Sequence, residues 1–160
     1  MKRLILIIAL ALALMIPSSL WAAAPGDCVQ TPYQYTPGGY IKVKLVCTAG
    51  AGGDISTQTI ASATMALLTG PYCLYQVIAR PTTGGTAPDA ADIAVLMNGM
   101  DLLGGKGVNL IHATATQDTF PYSAFMSSYR FPAITDALTL TVANEAANGA
   151  NYTIELVFVR

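Results

Sequence analysis

Four segments of the chain alternate apolar and polar residues with a period of two, and this pattern constrains the fold more than any other feature. The segments are residues 40–48, 72–80, 138–142 and 152–158. In the first, Ile41, Val43 and Leu45 alternate with Lys42 and Lys44. A period of two is that of a β-strand with one buried face. Each segment is therefore predicted to be a half-exposed strand.

A short hairpin is predicted between the second and third of these segments. Residues 92–97 and 100–103 flank Asn98-Gly99, a dipeptide that accepts positive φ at both central positions of a type I′ turn. We expect residues 55–61 to be a short strand or an irregular connection. Residues 112–129 have no clear period and are predicted to be a long packed loop.

Strands separated by glycine, proline and asparagine turns, without a sustained helical period, indicate an all-β protein. The fold class that we predict is a single antiparallel β-sandwich or small barrel. A helical turn is expected at 62–69, ended by Gly70-Pro71.

The N-terminal segment, 1–22, has the layout of a secretory signal peptide. Lys2 and Arg3 precede an apolar run over 4–16 that Pro17 ends. We expect cleavage after Ala22, which leaves an extended arm rich in proline, tyrosine and glycine at 23–39 and a β-sandwich domain at 40–160. The alternative is an uncleaved membrane anchor, since 4–24 is roughly long enough to span a bilayer, although Pro17 interrupts it.

Charge and composition favour association over nucleic-acid binding. The chain has eight basic residues; without Lys2 and Arg3 six remain against nine acidic ones, a formal charge of −3. That balance argues against a nucleic-acid partner. Charged residues are only 11% of the chain, which suits a subunit packed against copies of itself. A monomer covered by Thr and Ser is the alternative.

The three cysteines predict one disulfide and one unpaired thiol in an oxidising compartment. Cys47 and Cys73 lie on the apolar parity of predicted strands, a parity that Tyr75 shares with Cys73, whereas Cys28 lies in the Pro/Gly-rich lead. The sequence leaves all three pairings open. The absence of a Cys-x-x-Cys motif and the presence of a single histidine argue against a metal site, and no cofactor is expected.

No residue pattern points to catalysis. His112 has no neighbouring carboxylate or thiol, and Glu145 and Glu155, the only glutamates, fall in a predicted turn and on a polar strand face. The glycines around Lys106 miss the phosphate-loop spacing, because Gly107 stands where Ser or Thr is required. We predict that these glycines form a tight turn or a bulge and that the chain is not an enzyme.

Two weaker sets of residues could bind a ligand. Asp89, Asp92 and Asp101 lie near the base of the predicted hairpin, but their spacing matches no calcium loop, and solvated turn aspartates are favoured. A second set consists of the tyrosines of the arm and first strand: Tyr33, Tyr35 and Tyr40. These rings could stack on sugars or contact a partner chain, the alternative being packing of the arm on its own sheet.

Two stretches resemble a family of small tailed-phage proteins encoded among virion genes. The first runs from a Thr-Ala-Pro turn at 86–88 through the Asn98-Gly99 hairpin to Leu-Gly-Gly-Lys-Gly-Val-Asn at 103–109, and the second is the Pro-to-Asn stretch at 132–144. The resemblance covers roughly 40–160 and implies a virion-associated β-sandwich with no catalytic residues to carry over. Departures are the signal segment, the cysteines and Leu110, where the family tends to have a basic residue.

These observations predict a non-enzymatic structural or interaction protein that is secreted, periplasmic or held at the cell surface. It is expected to form homo-oligomers or to join a virion or cell-surface assembly, with membrane contact only through the signal segment before cleavage. Localisation in a virion follows if the resemblance carries function. The alternative is an extracellular glycan-binding module.

Overall fold

A computed structural model of the chain describes residues 25–35, 39–53, 55–70, 72–123 and 126–160. The predicted signal peptide and its cleavage site lie outside these residues. The described chain forms eleven strands and one short helix. In chain order they are β1 Asp27–Tyr35, β2 Tyr40–Thr48, β3 Gln58–Thr59, α1 Ser62–Leu68, β4 Cys73–Pro81, β5 Asp92–Met97, β6 Met100–Asp101, β7 Gln117–Thr119, β8 Tyr122–Ser123, β9 Ser128–Tyr129, β10 Leu138–Ala143 and β11 Asn151–Val159.

The strands form two antiparallel sheets that pack as a sandwich, with a small hairpin beside them. The larger sheet has the strand order β1-β2-β11-β4-β7, and the smaller sheet has the order β3-β10-β5-β6. β8 and β9 form the separate hairpin. The prediction of an all-β antiparallel sandwich is thereby confirmed.

The core lies between the facing sides of the two sheets, as the alternating pattern requires. Val43 and Leu156 of the larger sheet and Val95 and Leu140 of the smaller sheet are fully buried in one continuous apolar cluster. The predicted strand at 40–48 coincides with β2, whose apolar residues are buried at every second position up to Cys47. Burial of alternate side chains is the main stabilising contribution to this fold.

The predicted type I′ hairpin is also present. Asn98 and Gly99 have φ values of 51° and 76°, and Met97 pairs directly with Met100 across the two-residue turn. β6 is shorter than predicted and ends at Asp101. The chain then enters a series of turns that continues to Asn109.

β1 is part of the larger sheet. It falls within the segment predicted as an arm, 23–39, and it pairs with β2 from Asp27↔Thr48 to Tyr35↔Tyr40. This pairing places Cys28 opposite Cys47, with their Cα atoms 4.0 Å apart, and the two form a disulfide. Cys73 is the free cysteine. Of the three pairings that the sequence left open, the structure selects the one that joins adjacent strands.

The predicted orientation of Cys73 and Tyr75 is wrong, because β4 contains a β-bulge. Val157 pairs with Gln76 but Phe158 pairs with Leu74, so Tyr75 is the extra residue of the bulge. One inserted residue reverses the alternation. Leu74 and Val77 therefore both face the core, whereas Cys73 and Tyr75, predicted on the apolar parity, are only half-buried.

The segment predicted as a long loop, 112–129, contains three short strands. β7 pairs with β4 at the edge of the larger sheet, and β8 pairs with β9. The helical turn expected at 62–69 is α1. Within the described part of the chain, no helix is long and apolar enough to cross a membrane.

Candidate functional site

A cavity of about 590 Å³ opens between the β5–β6 hairpin and the β8–β9 hairpin. Its volume lies in the range of small-ligand sites. The residues that line it include apolar, aromatic and charged side chains: Met100, Asp101, Tyr122, Ser123, Arg130 and Phe131. We call this cavity, with the rings around it, the aromatic pocket.

The turns after β6 bring the two hairpins together. The Asp101 carboxylate accepts hydrogen bonds from the backbone N–H groups of Leu103, at 3.0 Å, and Gly105, at 2.8 Å. Gly104 has a φ of 55°, and a Cβ there would collide with the backbone oxygen of Tyr122. Glycine is thus required both for the turn and for the close approach of β8.

Five aromatic rings stand in edge and tilted contacts beside the cavity: Tyr75, Phe120, Tyr122, Tyr129 and Phe131. The ring of Tyr75 lies 5.1 Å from that of Phe131 and 5.5 Å from that of Phe120, and Tyr129 lies 5.5 Å from Tyr122. The β4 bulge supplies Tyr75 to this group. Edge-to-face contacts between aromatic rings are stabilising, and here they hold the rings in fixed positions.

Much of this apolar surface faces solvent. Tyr129 is 63% exposed, Phe131 is 47% exposed, and Met100 and Met126 are more than half exposed. Aromatic residues, methionine and arginine are enriched in protein–protein interfaces, and a contiguous exposed apolar patch marks an interaction site. The composition of the aromatic pocket is therefore that of a binding surface.

Two cations border the pocket. The Lys106 ammonium lies 4.7 Å from the centre of the Tyr122 ring, and the Arg130 guanidinium contacts the Met126 sulfur at 3.4 Å. Among the described residues, neither cation forms an ion pair, and the two ion pairs present both involve Glu155. Positive charge is thus left available beside exposed rings.

The glutamates considered for catalysis serve different structural roles. Glu155 lies on the outer face of the larger sheet, where its Oε2 binds Lys42 Nζ at 2.9 Å and Arg80 Nη2 at 2.6 Å. Glu145 is buried in the loop between β10 and β11, where its Oε1 accepts hydrogen bonds from the backbone N–H groups of Asp89 and Ala147. Neither side chain lines the aromatic pocket.

Glu145 also influences a buried tyrosine. Burial, and then the negative charge of Glu145, raise the pKa of Tyr152 far above its usual value of 10.0. The Tyr152 hydroxyl and Glu145 Oε2 are both buried and have no hydrogen-bond partner among the described residues. The phenol is therefore held in its neutral form.

His112, Asp89 and Asp92 accept hydrogen bonds from nearby N–H groups. His112 Nδ1 accepts hydrogen bonds from the N–H groups of Thr114 and Ala115, at 3.2 and 3.1 Å. Asp89 accepts one from Ala90, and Asp92 binds the Asn109 N–H and the Asn144 amide. In the described ranges, no three His, Cys, Asp or Glu side chains are grouped so that they could hold a metal ion.

The tyrosines predicted to contact a partner or glycan lie in the larger sheet. Tyr35 pairs with Tyr40 and Tyr33 pairs with Lys42 through the β1–β2 ladder. Tyr40 is half-buried, and the side chains of Tyr33 and Tyr35 are not among those that the structure describes. The aromatic pocket is formed by other aromatic residues.

One signal in the sequence could have located the pocket. Five aromatic residues fall between 120 and 131 in a segment without strand periodicity. Rings at such density cannot all be buried by one loop, so some must be exposed or packed against one another. Their contact with Tyr75 could not be read from the sequence, because it depends on the β4 bulge.

No known protein family, curated protein or solved structure matches the chain.

Proposed function

We propose that this protein is a non-enzymatic interaction protein, a phage-virion-like β-sandwich that is exported and acts by associating with copies of itself or with a particle or cell surface. The observation that carries the proposal is the aromatic pocket. It combines a concave site with exposed Tyr129, Phe131 and Met100, which a protein without a partner would leave unfavourably in contact with water.

Two features support a location outside the cytoplasm. The Cys28–Cys47 disulfide joins adjacent strands, and disulfides persist mainly in oxidising compartments. The segment 1–22 has the charge and hydropathy pattern of a secretory signal. A periplasmic, secreted or surface location is the one in which both features have a role.

The two phage-like segments support the proposal, because both contribute to the smaller sheet and to the pocket lining. The stretch 86–109 includes β5, the Asn98-Gly99 turn and β6, and the stretch 132–144 includes β10. Both contribute to the smaller sheet, and Met100, Asp101 and Pro132 within them line the pocket. A virion role would follow if this resemblance reflects common descent.

Self-association is tested with the mature chain, 23–160, by sedimentation velocity and light scattering. We expect oligomers, and we expect the double variant Tyr129→Ser, Phe131→Ser to shift the protein towards monomer. Val29→Ser is the matched control, because Val29 is also a highly exposed apolar residue but lies on β1, away from the pocket. A wild-type protein that remains monomeric at high concentration and binds neither virions nor cells would refute the proposal.

The second candidate function is glycan binding. It is favoured by one observation, the placement of exposed aromatic residues beside polar groups at an open cavity. A sugar presents C–H groups on its ring faces and hydroxyls at its edges, so it can stack on a ring and donate or accept hydrogen bonds at the same time. Binding on a glycan array that Tyr129→Ser abolishes would support it, and absence of any glycan signal would exclude it.

A further inference from the structure

We infer that the aromatic pocket binds an acidic carbohydrate, a glycan whose sugar rings carry carboxylate groups. The inference deepens the proposed attachment to a surface and rests on the glycan-binding candidate. It assigns the chemical class of the ligand from the charges and rings around the cavity.

The pocket has two positively charged residues at its border. Lys106 and Arg130 border it, and among the described residues neither has a carboxylate within ion-pair distance. The contacts they do make, with the Tyr122 ring and the Met126 sulfur, leave their charges uncompensated. The mature chain has a formal charge of −3 as a whole, whereas these two cations give the pocket a local positive charge.

Asp101 is the acidic residue in the cavity lining. Both of its carboxylate oxygens accept backbone hydrogen bonds, from Leu103 and Gly105. These bonds keep the carboxylate in the turn and reduce its ability to pair with either cation. Two cations against one engaged carboxylate favour an anionic ligand.

The rings and Ser123 offer contacts that suit a sugar. Phe131, which lines the cavity, is 47% exposed, and Tyr129, which contacts the lining residue Tyr122, is 63% exposed, so both are accessible for stacking on a sugar. Ser123 Oγ accepts a hydrogen bond from the Met126 N–H at 3.3 Å, so its own hydroxyl hydrogen remains available to a ligand. A ring platform, a hydroxyl donor and two cations match a sugar carboxylate better than a purely apolar ligand.

The mature protein is titrated with oligogalacturonate, and binding is measured by calorimetry and by changes in the amide chemical shifts. A neutral oligosaccharide of the same length and a poly-glutamate peptide serve as comparison ligands. We expect binding of the acidic glycan only, with shifts at Ser123 and Phe131. Added salt is expected to weaken binding, because the attraction between exposed charges is screened.

Charge-removing variants test the assignment of the cations. Arg130→Gln and Lys106→Gln are each expected to weaken binding about tenfold, the loss typical of one hydrogen bond to a charged group. Lys44→Gln is the control, since it removes the same charge from the larger sheet. Equal binding of the neutral glycan would overturn the inference while leaving glycan binding intact.

Two other outcomes would also overturn it. Equal binding of poly-glutamate would identify an acidic peptide site, and an unchanged affinity in both glutamine variants would remove the role of the cations. Failure of every glycan to bind would refute both this inference and the glycan candidate. Self-association, measured separately by sedimentation, would be unaffected by that result.

Discussion

The outer face of the larger sheet and the aromatic pocket use charged residues in opposite ways. On the sheet, Lys42 and Arg80 both bind Glu155, whose side chain is only 9% exposed. At the pocket, Lys106 and Arg130 contact a ring and a sulfur instead. On the sheet, two cations pair with an internal carboxylate, whereas at the pocket neither cation pairs with a carboxylate of the described residues.

Under the proposed function, this difference separates the residues that stabilise the fold from those that would bind a partner. Substitutions on the larger sheet should lower the free energy of unfolding and leave binding intact in the molecules that remain folded. Substitutions at the pocket should weaken binding and change the free energy of unfolding little, because the side chains there are largely exposed already.

Removal of the disulfide is expected to have the largest effect on stability. Cys28 and Cys47 are 19 residues apart in sequence, and a crosslink over a loop of this length stabilises by about 3 kcal/mol. Cys28→Ser, Cys47→Ser should lose about this amount in urea unfolding, because the crosslink no longer restricts the unfolded chain. Cys73→Ser is the control and should change stability little. A loss limited to Cys73→Ser would contradict the pairing.

Removal of Glu155 should have the next largest effect. Glu155→Ala leaves Lys42 and Arg80 without their shared partner, but both are partly exposed and can be hydrated. We therefore expect a loss of about 2 kcal/mol, below the range for a fully buried pair. Lys42→Met should cost less, because Arg80 still binds Glu155. Equal stability of wild type and Glu155→Ala would show that this ion-pair network does not stabilise the sheet.

The same contrast explains how much of the fold could be predicted from the sequence. β2, β10 and β11 follow from alternation, because a half-buried strand requires it, and β5 follows from the Asn98-Gly99 turn at its end. The bulge at Tyr75 could not be predicted, since it depends on how β4 pairs with β11. The disulfide was undetermined for a similar reason: Cys28 pairs with Cys47 only because β1 joins the sheet.

The pocket was harder to predict than the sheets. The turn that contains Lys106 can be predicted from its glycines, but the ring that Lys106 contacts, Tyr122, comes from a segment without periodicity. The contact between them forms because Gly104 permits β8 to approach the turn. Contacts between irregular segments depend on tertiary packing, which the local pattern does not encode.

Alkaline pH should destabilise the protein through Tyr152. Its pKa is raised in the folded state, so the neutral phenol stabilises the fold fully below pH 10, and that contribution is lost as pH rises above the unfolded value of 10.0. We expect the free energy of unfolding to fall by about 1.4 kcal/mol for each pH unit above 10. Urea unfolding at a series of alkaline pH values measures this slope.

Two variants isolate the cause of this pH dependence. Tyr152→Phe removes the titrating group and should flatten the slope. Glu145→Gln removes the negative charge but keeps an oxygen for the Asp89 and Ala147 N–H groups, so it should lower the Tyr152 pKa partially. An unchanged slope in Tyr152→Phe would assign the alkaline destabilisation to another group.

Substitution of Tyr129 should have the smallest effect on stability. The side chain is 63% exposed and makes edge contacts with Phe120 and Tyr122, so Tyr129→Ser should lose only about 0.5 kcal/mol. The same variant should weaken association with a partner. Urea unfolding and sedimentation on one preparation measure both quantities. A loss of stability as large as that of Glu155→Ala would mean that the rings hold the hairpins together, and the contrast between a structural sheet and a binding pocket would then fail.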